Sequence, residues 1–496
     1  MIPKATSNWL GMQARFRPNA EALVQVAEGG APEVRWTYAQ AYDRSLRWAG
    51  RLGTEGVQPG DRVAVLAHNH IDTFALLFAC AELGAVLLPL NWRLAPAEIA
   101  DQLARTRPSA TLADATFLPT LTTLQAENPA LPSPLALADG PGSEPLQGPG
   151  SALDAPWVIL FTSGSTGRPK GALLSHAQLH WNAVNTTLAC DLSPADSTLT
   201  FTPLFHTGGL NCLSSPLLHR GGRVVVSRGF DAGQALEVIA TERISTLMGV
   251  PTIFQMMAEH PRFAETDLTS VRDALCGGAP LSVPLLHSFL ARGIPLRQGF
   301  GLTEVGPNCF SMPAAFSVAK AGSVGLPIHH VDAQLLRPDG TRCADDEPGE
   351  LVLGGPAVCS GYFEDPDGTA KSIRDGWFHT GDVLSRDADG FFWVRGRIKE
   401  MFISGGENVY PAEVEAALLQ VPGVREAAVI GIPDDRWGEV GAAWITAQPG
   451  ASTEGVLTAL RERLARYKVP KILTIVEALP RTASGKIDKP ALKALP

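Results

Sequence analysis

The stretch WVILFTSGSTGRPKG, residues 157–171, decides the fold. Its first five residues are apolar and have the pattern of a buried strand. The ten residues 162–171 then hold three glycines, four hydroxyl side chains, one arginine and one lysine. A strand that opens onto such a loop usually turns backbone N–H groups toward an anion. A flexible surface loop is the alternative that this stretch alone leaves open.

Two well-known loop motifs are absent from the stretch. The P-loop needs G-x-x-x-x-G-K-[ST], whereas the order here is Gly164, Gly167 and Lys170. The elbow of α/β hydrolases needs G-x-S-x-G, and Ser163 stands where its first glycine would be. The loop therefore predicts another kind of phosphate site. In it, glycines let the backbone approach closely, hydroxyls donate to phosphate oxygens and Lys170 places a positive charge over the distal phosphates.

Composition limits the class of protein. The chain has 496 residues, of which 45% are apolar and 18% charged, and this indicates a globular protein with two or more structural units. Its formal net charge of −9 argues against a nucleic-acid binder, which normally shows a basic face. A local phosphate site remains compatible with an acidic chain.

The sequence indicates a reduced, non-membrane environment. Its seven cysteines are scattered and form no C-x-x-C pair, as expected for mostly buried thiols in a cytosolic protein. The first twenty residues contain no apolar core of signal-peptide length. The most membrane-like run, residues 73–90, is interrupted by Glu82, Gly84 and Pro89, so we expect a buried helix followed by a buried strand. The prediction is a cytoplasmic protein without an integral membrane segment.

The order of patterns along the chain predicts an α/β fold. Strand patterns at 61–68 and 84–90 flank a helical pattern, and the alternation resumes from Gly171 to about Gly390. A Pro-, Gly-, Ser- and Ala-rich stretch around 128–156 indicates a surface connection. Short strands such as GELVLGG and GFFWVRGR indicate a small β-rich unit.

The last hundred residues have a pattern of their own. PAEVEAALLQ and LTALRERLARY are predicted helices, and VREAAVIGIPD and KILTIVEAL are predicted strands. We therefore expect a large N-terminal domain of doubly wound α/β subdomains plus the β-rich unit at 1–397. A hinge at 398–400 and a small mobile α+β domain at 401–496 would follow.

Seven segments carry a resemblance to one family, in the family's order. They are FTSGSTGRPKG (161–171), PLFHTGGL (203–210), GGAP (277–280), QGFGLTE (298–304), GWFHTGD (376–382), GRIKEMFISGGENVYPAEVE (396–415) and LPRTASGKIDK (479–489). Together they resemble the acyl-adenylate-forming superfamily, which contains acyl-CoA synthetases, adenylation domains and beetle luciferase. The resemblance spans nearly the whole chain. It implies an AMP-forming acid–thiol ligase that uses ATP, Mg²⁺ and coenzyme A.

The resemblance implies a nucleotide site. Asp382 would bind the ribose hydroxyls and Arg397 the ribose or phosphate edge, with a turn aspartate and a surface arginine as the alternatives. Phe300 would stack on adenine, where relatives more often have tyrosine. The residues implied in ATP or AMP binding are Thr162, Ser163, Gly164, Ser165, Thr166, Gly167, Lys170, Gly278, Ala279, Pro280, Gln298, Gly299, Phe300, Gly301, Leu302, Asp382 and Arg397.

Two of the catalytic residues implied by the resemblance, Glu304 and Lys486, carry opposite charges. Glu304 would hold Mg²⁺ against the phosphates, as a hard oxygen ligand does, and Thr303 would donate to the α-phosphate. Lys486 would bridge the attacking carboxylate and the α-phosphate as a mobile ammonium, which offsets the repulsion between two anions. A solvated loop glutamate and a solvated tail lysine are the alternatives.

Three further roles are implied. His206, otherwise a structural histidine, would act in catalysis by bordering the carboxylate and gating the acyl pocket, and Lys399 would be the hinge about which the small domain turns between the two steps. The implied substrate residues are His206, Thr207, Gly208, Val250, Gly277 and Gly301. The implied coenzyme A contacts are Gly405, Gly406, Glu407 and Trp437. A packing role is the alternative for Trp437.

The identity of the acid is narrowed by what the pocket segments lack. The segment around His206 has no aspartate to pair with an α-amine, and FHTGGLN, GVPTI and CGGAP have no Arg or Lys for a second carboxylate. We expect a medium- or long-chain fatty acid ahead of an aryl acid of feruloyl or benzoyl type. An enzyme that loads a carrier protein and a non-catalytic nucleotide- or acyl-binding regulator are further alternatives, and a homodimer is compatible with all of them.

Overall fold

The computed structural model of the chain describes residues 8–27, 32–162, 169–404, 407–434, 437–482 and 485–495. In chain order its strands are β1 (Glu21–Val26), β2 (Pro32–Thr37), β3 (Arg62–Leu66), β4 (Val86–Pro89), β5 (Ala110–Ala113), β6 (Leu135–Ala136), β7 (Pro156–Thr162), β8 (Lys170–Ser175), β9 (Ser197–Thr200), β10 (Arg223–Ser227), β11 (Thr246–Gly249), β12 (Asp273–Cys276), β13 (Leu296–Leu302), β14 (Gly306–Ser311), β15 (Leu326–Pro327), β16 (Asp332–Leu336), β17 (Gly349–Gly354), β18 (Ile373–Arg374), β19 (Trp377–Arg386), β20 (Phe392–Arg397), β21 (Phe402–Ser404), β22 (Glu407–Val409), β23 (Val424–Asp434), β24 (Gly438–Ala447) and β25 (Ile472–Ile475).

The α-helices are α1 (Trp9–Phe16), α2 (Tyr38–Thr54), α3 (Ile71–Leu83), α4 (Pro96–Thr106), α5 (Leu118–Glu127), α6 (His176–Ala189), α7 (Ser214–Arg220), α8 (Ala232–Thr241), α9 (Pro251–Glu259), α10 (Val283–Leu290), α11 (Pro366–Ser372), α12 (Pro411–Leu418), α13 (Thr453–Arg461) and α14 (Lys489–Leu492). Short 3₁₀ helices lie at Leu137–Asp139, Pro261–Phe263, Ala314–Phe316 and Ile398–Glu400, and a π-helical turn lies at Gly208–Cys212.

The first sheet has six strands in the order β6-β5-β3-β4-β7-β8. Its members are parallel except for the edge strand β8, which runs antiparallel to β7 with Thr162 opposite Lys170. Every residue of α3 is buried, and Gly84 ends the helix with a left-handed φ of 70°, a conformation that suits glycine. The predicted helix and strand within residues 73–90 are therefore confirmed. Among the described residues no helix is long and apolar enough to cross a membrane.

The second sheet has nine strands in the order β15-β14-β13-β12-β11-β9-β10-β1-β2. Its central strands are parallel, whereas β14, β15 and β2 pair antiparallel at the two ends. A third, antiparallel sheet, β16 to β20, is the predicted β-rich unit. All seven cysteines are free, and six of them are buried. The predicted α/β class is confirmed.

The last sheet belongs to the C-terminal region and contains β21 to β25. Two elements differ from prediction: α13 ends at Arg461, and β25 covers only Ile472–Ile475. The sequence reading also missed β24, which pairs with β23 along ten positions and with β21 and β25. Its Gly- and Ala-rich sequence has low strand propensity, so burial between neighbouring strands outweighs it. The division of the chain at 397, 398–400 and 401 stays a prediction.

Candidate active site

The carboxyl ends of four neighbouring strands form the floor of the site. In the second sheet β9, β11, β12 and β13 run parallel and side by side. Ligands of α/β sheets bind outside such carboxyl ends. The ends of these strands and the segments that leave them carry predicted site residues, at 206–208, 250, 277–280 and 299–304. The structure therefore brings together four motifs that the sequence spreads over a hundred residues.

Gln298 holds the turn that follows β12. Its side-chain amide donates to the carbonyl of Ala279 at 3.1 Å and accepts from the N–H of Leu281 at 2.6 Å. Both ends of this amide are thus bound to backbone, so Gln298 shapes the turn at 277–281. Gly301 is required by packing, because a Cβ there would lie 2.1 Å from the carbonyl oxygen of Pro307. Phe300 is partly buried, with its ring centroid 5.8 Å from that of Phe310.

The predicted phosphate loop leaves the first sheet between β7 and β8. Ser163, Gly164, Ser165, Thr166 and Gly167 lie outside the described residues. The two ends of the loop, Thr162 and Lys170, face each other across the strand pair. The ammonium of Lys170 lies 3.5 Å from Asp365 Oδ2 and 4.6 Å from the ring centroid of Tyr362. The charge of Lys170 therefore has a defined position beside the loop.

Glu304 is a buried carboxylate at the end of the segment that follows β13. The hydroxyl of Tyr362 donates to its Oε1 at 2.9 Å, and that of Thr162 lies 3.4 Å from the same oxygen. Burial raises the pKa of Glu304, and the hydrogen bonds and the charge of Lys486 oppose that rise. The carbonyl of Thr303 accepts from Gln178 Nε2 at 3.1 Å.

This carboxylate fits a magnesium ion that is shared with a nucleotide. No group of three possible protein ligands occurs among the described residues. Mg²⁺ is usually bound by one or two carboxylates together with substrate phosphates, not by a full protein cage. A single buried carboxylate 3.4 Å from the hydroxyl of Thr162, the first residue of the predicted phosphate loop, is such a ligand set.

Asp382 and Arg397 form an ion pair on the third sheet. They are directly opposite each other in β19 and β20, and Arg397 Nε lies 2.9 Å from Asp382 Oδ1. Asp382 is buried, which raises its pKa, whereas the adjacent Arg397 lowers it. Because the side chain of Arg397 is 46% exposed, it can turn toward water and leave Asp382 to a polar ligand.

Lys486 lies on a hairpin that reaches toward these residues. Arg481 and Ile487 form a bridge, and the N–H of Thr482 donates to the carbonyl of Lys486 at 2.8 Å. Partial removal of the ammonium from water and the charge of Arg397 lower the pKa of Lys486, while Asp382 and Glu304 oppose that effect. The structure thus places an amine from the end of the chain within electrostatic range of both predicted nucleotide ligands.

His206 points a buried nitrogen atom into the same region. Its Nε2 has no hydrogen-bond partner in the part of the chain that the structure describes. Burial lowers its pKa to about 4, with smaller contributions from Lys486 and Arg93, so the ring is neutral at pH 7. Behind it, a Cβ on Gly208 would lie 3.0 Å from Met248 Cε. The residue therefore offers an uncharged polar group beside a confined apolar space.

The predicted hinge and coenzyme A residues lie farther along the chain. Lys399 is exposed in the 3₁₀ helix Ile398–Glu400, and its charge reaches Lys486. Gly405 and Gly406 lie outside the described residues. Glu407 begins β22, opposite Ser404, and Ser404 also pairs with Gly438, the neighbour of Trp437. Trp437 is 41% exposed, which is more than a core tryptophan would show. Glu407 and Trp437 thus lie at the same end of this sheet.

Two polar residues at the site were missed by the sequence reading. Gln178 and Tyr362 reach Thr303 and Glu304 from α6 and from the segment before α11. Tyr362 follows Gly361, which has a φ of +119°. A glycine followed by an aromatic residue between two strand patterns is the signal that could have singled it out.

Comparisons with known proteins agree with this geometry. The family model "AMP-binding enzyme" matches residues 10–363, and "AMP-binding enzyme C-terminal domain" matches residues 413–486. A feruloyl-CoA synthase of Amycolatopsis is 43% identical, over 99% of this chain and 98% of its own. A long-chain-fatty-acid–CoA ligase of Mycobacterium tuberculosis is 34% identical, over 98% of each chain.

A solved structure has the same fold throughout. The O-succinylbenzoate coenzyme A synthetase of Bacillus subtilis, in complex with ATP and a magnesium ion, superposes with a TM-score of 0.88 and 30% identity. The superposition covers 98% of this chain and 99% of that one. The chain therefore belongs to the AMP-binding enzyme family, and with it to the acyl-adenylate-forming superfamily.

Proposed function

We propose that the protein is an AMP-forming acid–thiol ligase that joins an aryl carboxylic acid to coenzyme A, with ATP and Mg²⁺ as the activating pair. The main support is that one buried carboxylate, one ion pair and one amine act electrostatically on one another. Glu304, Asp382 with Arg397, and Lys486 come from three different parts of the chain. The charge of Lys486 acts on both Asp382 and Glu304.

In the first step a carboxylate oxygen of the acid attacks the α-phosphorus of ATP, and the bond to pyrophosphate breaks. Lys486 would lie between the two anions and reduce their repulsion as negative charge gathers on the phosphorus. Asp382 would accept hydrogen bonds from the ribose, and Lys170 and the loop at 162–171 would hold the distal phosphates. Bound Mg²⁺, held by Glu304, would neutralise charge on the phosphate oxygens.

His206 would contribute as a neutral ring. Because its pKa is about 4, Nε2 can border a carboxylate without forming an ion pair that would trap it. Its free nitrogen and the backbone around Thr207 and Gly208 would orient the acid. Val250, Gly277 and Gly301 would line the space beyond.

In the second step the thiol of coenzyme A attacks the carbonyl carbon of the adenylate, and AMP leaves. Lys486 has no role in that attack. The small domain would therefore turn about Lys399 and present a different surface to the adenylate. Gly405, Gly406, Glu407 and Trp437 would then lie along the thiol channel. Residues 1–397 and 401–496 would move as the two bodies.

An aryl acid is favoured over a fatty acid. The feruloyl-CoA synthase is 43% identical and the fatty-acid ligase 34%, which supports the alternative that the sequence reading ranked second.

The experiment is an acid panel that contains ferulate, benzoate, indoleacetate, octanoate and palmitate. Pyrophosphate release that depends on the acid would report the first step, and AMP release that depends on coenzyme A the second. We expect ferulate or a related aryl acid to give the highest kcat/KM. A preference for palmitate would refute the aryl proposal. AMP release with a phosphopantetheine carrier protein, but not with coenzyme A, would refute the ligase proposal.

Cytoplasmic location and assembly as a homodimer remain predictions. Size-exclusion chromatography with light scattering tests the second of them.

A further inference from the structure

Tyr362 pairs with Ala172 in β8, the strand that follows the phosphate loop. Residues 360–363 run beside β8: the N–H of Leu173 donates to the carbonyl of Gly361 at 2.8 Å, and that of Phe363 to Gly171 at 2.7 Å. Gly361 cannot be replaced, because a Cβ there would lie 2.5 Å from Thr369 Cγ2. The backbone of Tyr362 is therefore fixed relative to Lys170, the first residue of β8.

The hydroxyl of Tyr362 has one function in this arrangement. It donates to Glu304 Oε1 at 2.9 Å. Within the described part of the chain, both side-chain hydrogen bonds to the carboxylate end on Oε1. They hold the plane of the carboxylate and leave the second oxygen to a cation.

The ring of Tyr362 has a second contact. Lys170 Nζ lies 4.6 Å from its centroid, a distance at which an ammonium is attracted by the ring face. Asp365, 3.5 Å from the same ammonium, holds it from the other side. One tyrosine thus touches both the predicted magnesium ligand and the predicted phosphate-binding lysine.

We propose that Tyr362 is a positioning residue that sets the geometry between Glu304 and Lys170, so that magnesium and the distal phosphates of ATP are bound as a unit. The inference rests on the proposed function, in which Glu304 binds Mg²⁺. It adds that Mg²⁺ raises the affinity for ATP to its full extent only when the Tyr362 hydroxyl orients Glu304.

The test compares Tyr362→Phe with the wild type by calorimetric titration with ATP, without acid, once in Mg²⁺ and once in EDTA. Wild type should bind ATP more tightly in Mg²⁺. In Tyr362→Phe we expect that gain to fall about tenfold, because a hydrogen bond to a charged group is lost. The affinity for ATP in EDTA should change little, because phenylalanine keeps the aromatic ring that contacts Lys170. The Mg²⁺ concentration for half-maximal pyrophosphate release should rise about tenfold as well.

Tyr42→Phe is the matched control. It removes a hydroxyl that accepts a hydrogen bond from Asn8 at 3.0 Å, far from the cleft, and it should leave the Mg²⁺ dependence as in wild type. Equal weakening of ATP binding in Mg²⁺ and in EDTA by Tyr362→Phe would overturn the inference, because it would indicate a general loss of structure.

Glu304→Gln separates this inference from the proposed function. If Glu304→Gln removes the Mg²⁺ gain and Tyr362→Phe keeps it, the role of Tyr362 is wrong and that of Glu304 stands. If Glu304→Gln keeps the gain, the magnesium assignment itself is wrong. The double variant Tyr362→Phe/Glu304→Gln should bind ATP in Mg²⁺ no more weakly than Glu304→Gln alone. An additive further loss of affinity would contradict a role exerted through Glu304.

Discussion

Replacement of Lys489 by methionine should destabilise the C-terminal unit by about 3 kcal/mol at pH 7. Lys489 Nζ lies 2.8 Å from Glu400 Oε2 and 2.9 Å from Glu415 Oε1. Burial alone would lower the pKa of Lys489, but the two carboxylates outweigh it and raise that pKa. The cluster connects three elements: the 3₁₀ helix Ile398–Glu400, helix α12, and helix α14, which begins three residues after Lys486.

The magnitude follows from the carboxylate that is left behind. Burial already raises the pKa of Glu415, and the charge of Lys489 opposes that rise. Without the ammonium, Glu415 would take up a proton, and at pH 7 this costs about 3 kcal/mol, since the pH is about 2.5 units above its ordinary pKa. The figure lies at the lower end of the 3–5 kcal/mol typical of a broken buried pair, as expected for side chains that are 22% and 14% exposed.

The pH dependence gives the sign of this effect. A carboxyl group whose folded pKa is raised costs stability at pH values above its unfolded pKa, and that cost disappears as the pH falls toward the unfolded pKa. The deficit of Lys489→Met should therefore shrink by about 1.4 kcal/mol per pH unit between pH 7 and pH 5. Urea unfolding, followed by tryptophan fluorescence, measures it.

Two further variants test this prediction. Lys489→Met with Glu415→Gln should recover most of the loss, because the charge that remains in the cluster is that of Glu400, whose side chain is 33% exposed. Lys493→Met, an exposed lysine on the same segment, is the control and should change stability by less than about 0.5 kcal/mol. A deficit that is constant from pH 7 to pH 5, or no deficit, would refute the reasoning.

His219→Phe should flatten the fall of stability below pH 6.5. Burial lowers the pKa of His219 to about 4, so the folded state resists protonation of this side chain. At pH 5 this lowers the free energy of unfolding by about 2 kcal/mol. Thermal unfolding at pH 7 and pH 5 measures the difference, and an unchanged pH slope would contradict it. Lys399→Pro should slow thioester formation from supplied acyl-adenylate at least tenfold more than it slows adenylate formation, since only the second step needs the torsion at the hinge. Stopped-flow assays of the two half-reactions decide this, and an equal loss of both rates would rule out the hinge.

The sequence predicted most of the fold because its signals were local. The buried helix and strand within residues 73–90 and the strand before the phosphate loop were read from apolar runs and from the residues that end them. β24 was missed because its Gly- and Ala-rich residues become a strand only through pairing with β23, β21 and β25. Such pairing joins residues that are distant in sequence.

The site residues were predicted from separate motifs. The motifs did not show which of these residues contact one another. Asp382 and Arg397 were assigned separately, yet they form one ion pair across two strands. Gln298 was assigned to the nucleotide, yet its amide holds the turn at 277–281. Tyr362 lies outside every quoted motif, and only the pairing of residues 360–363 with β8 brings it to Glu304.

The central claim is that the amine of Lys486 drives the first step and has no part in the second. Rapid-quench measurement of both half-reactions in Lys486→Ala, with Lys493→Ala as the control, tests it most directly. We expect adenylate formation to fall by three orders of magnitude or more, as for loss of a charge that stabilises a phosphoryl-transfer transition state. Thioester formation from the supplied acyl-adenylate should stay within about threefold of wild type. If both half-reactions fell equally, or if adenylation continued at the wild-type rate, the account would be contradicted.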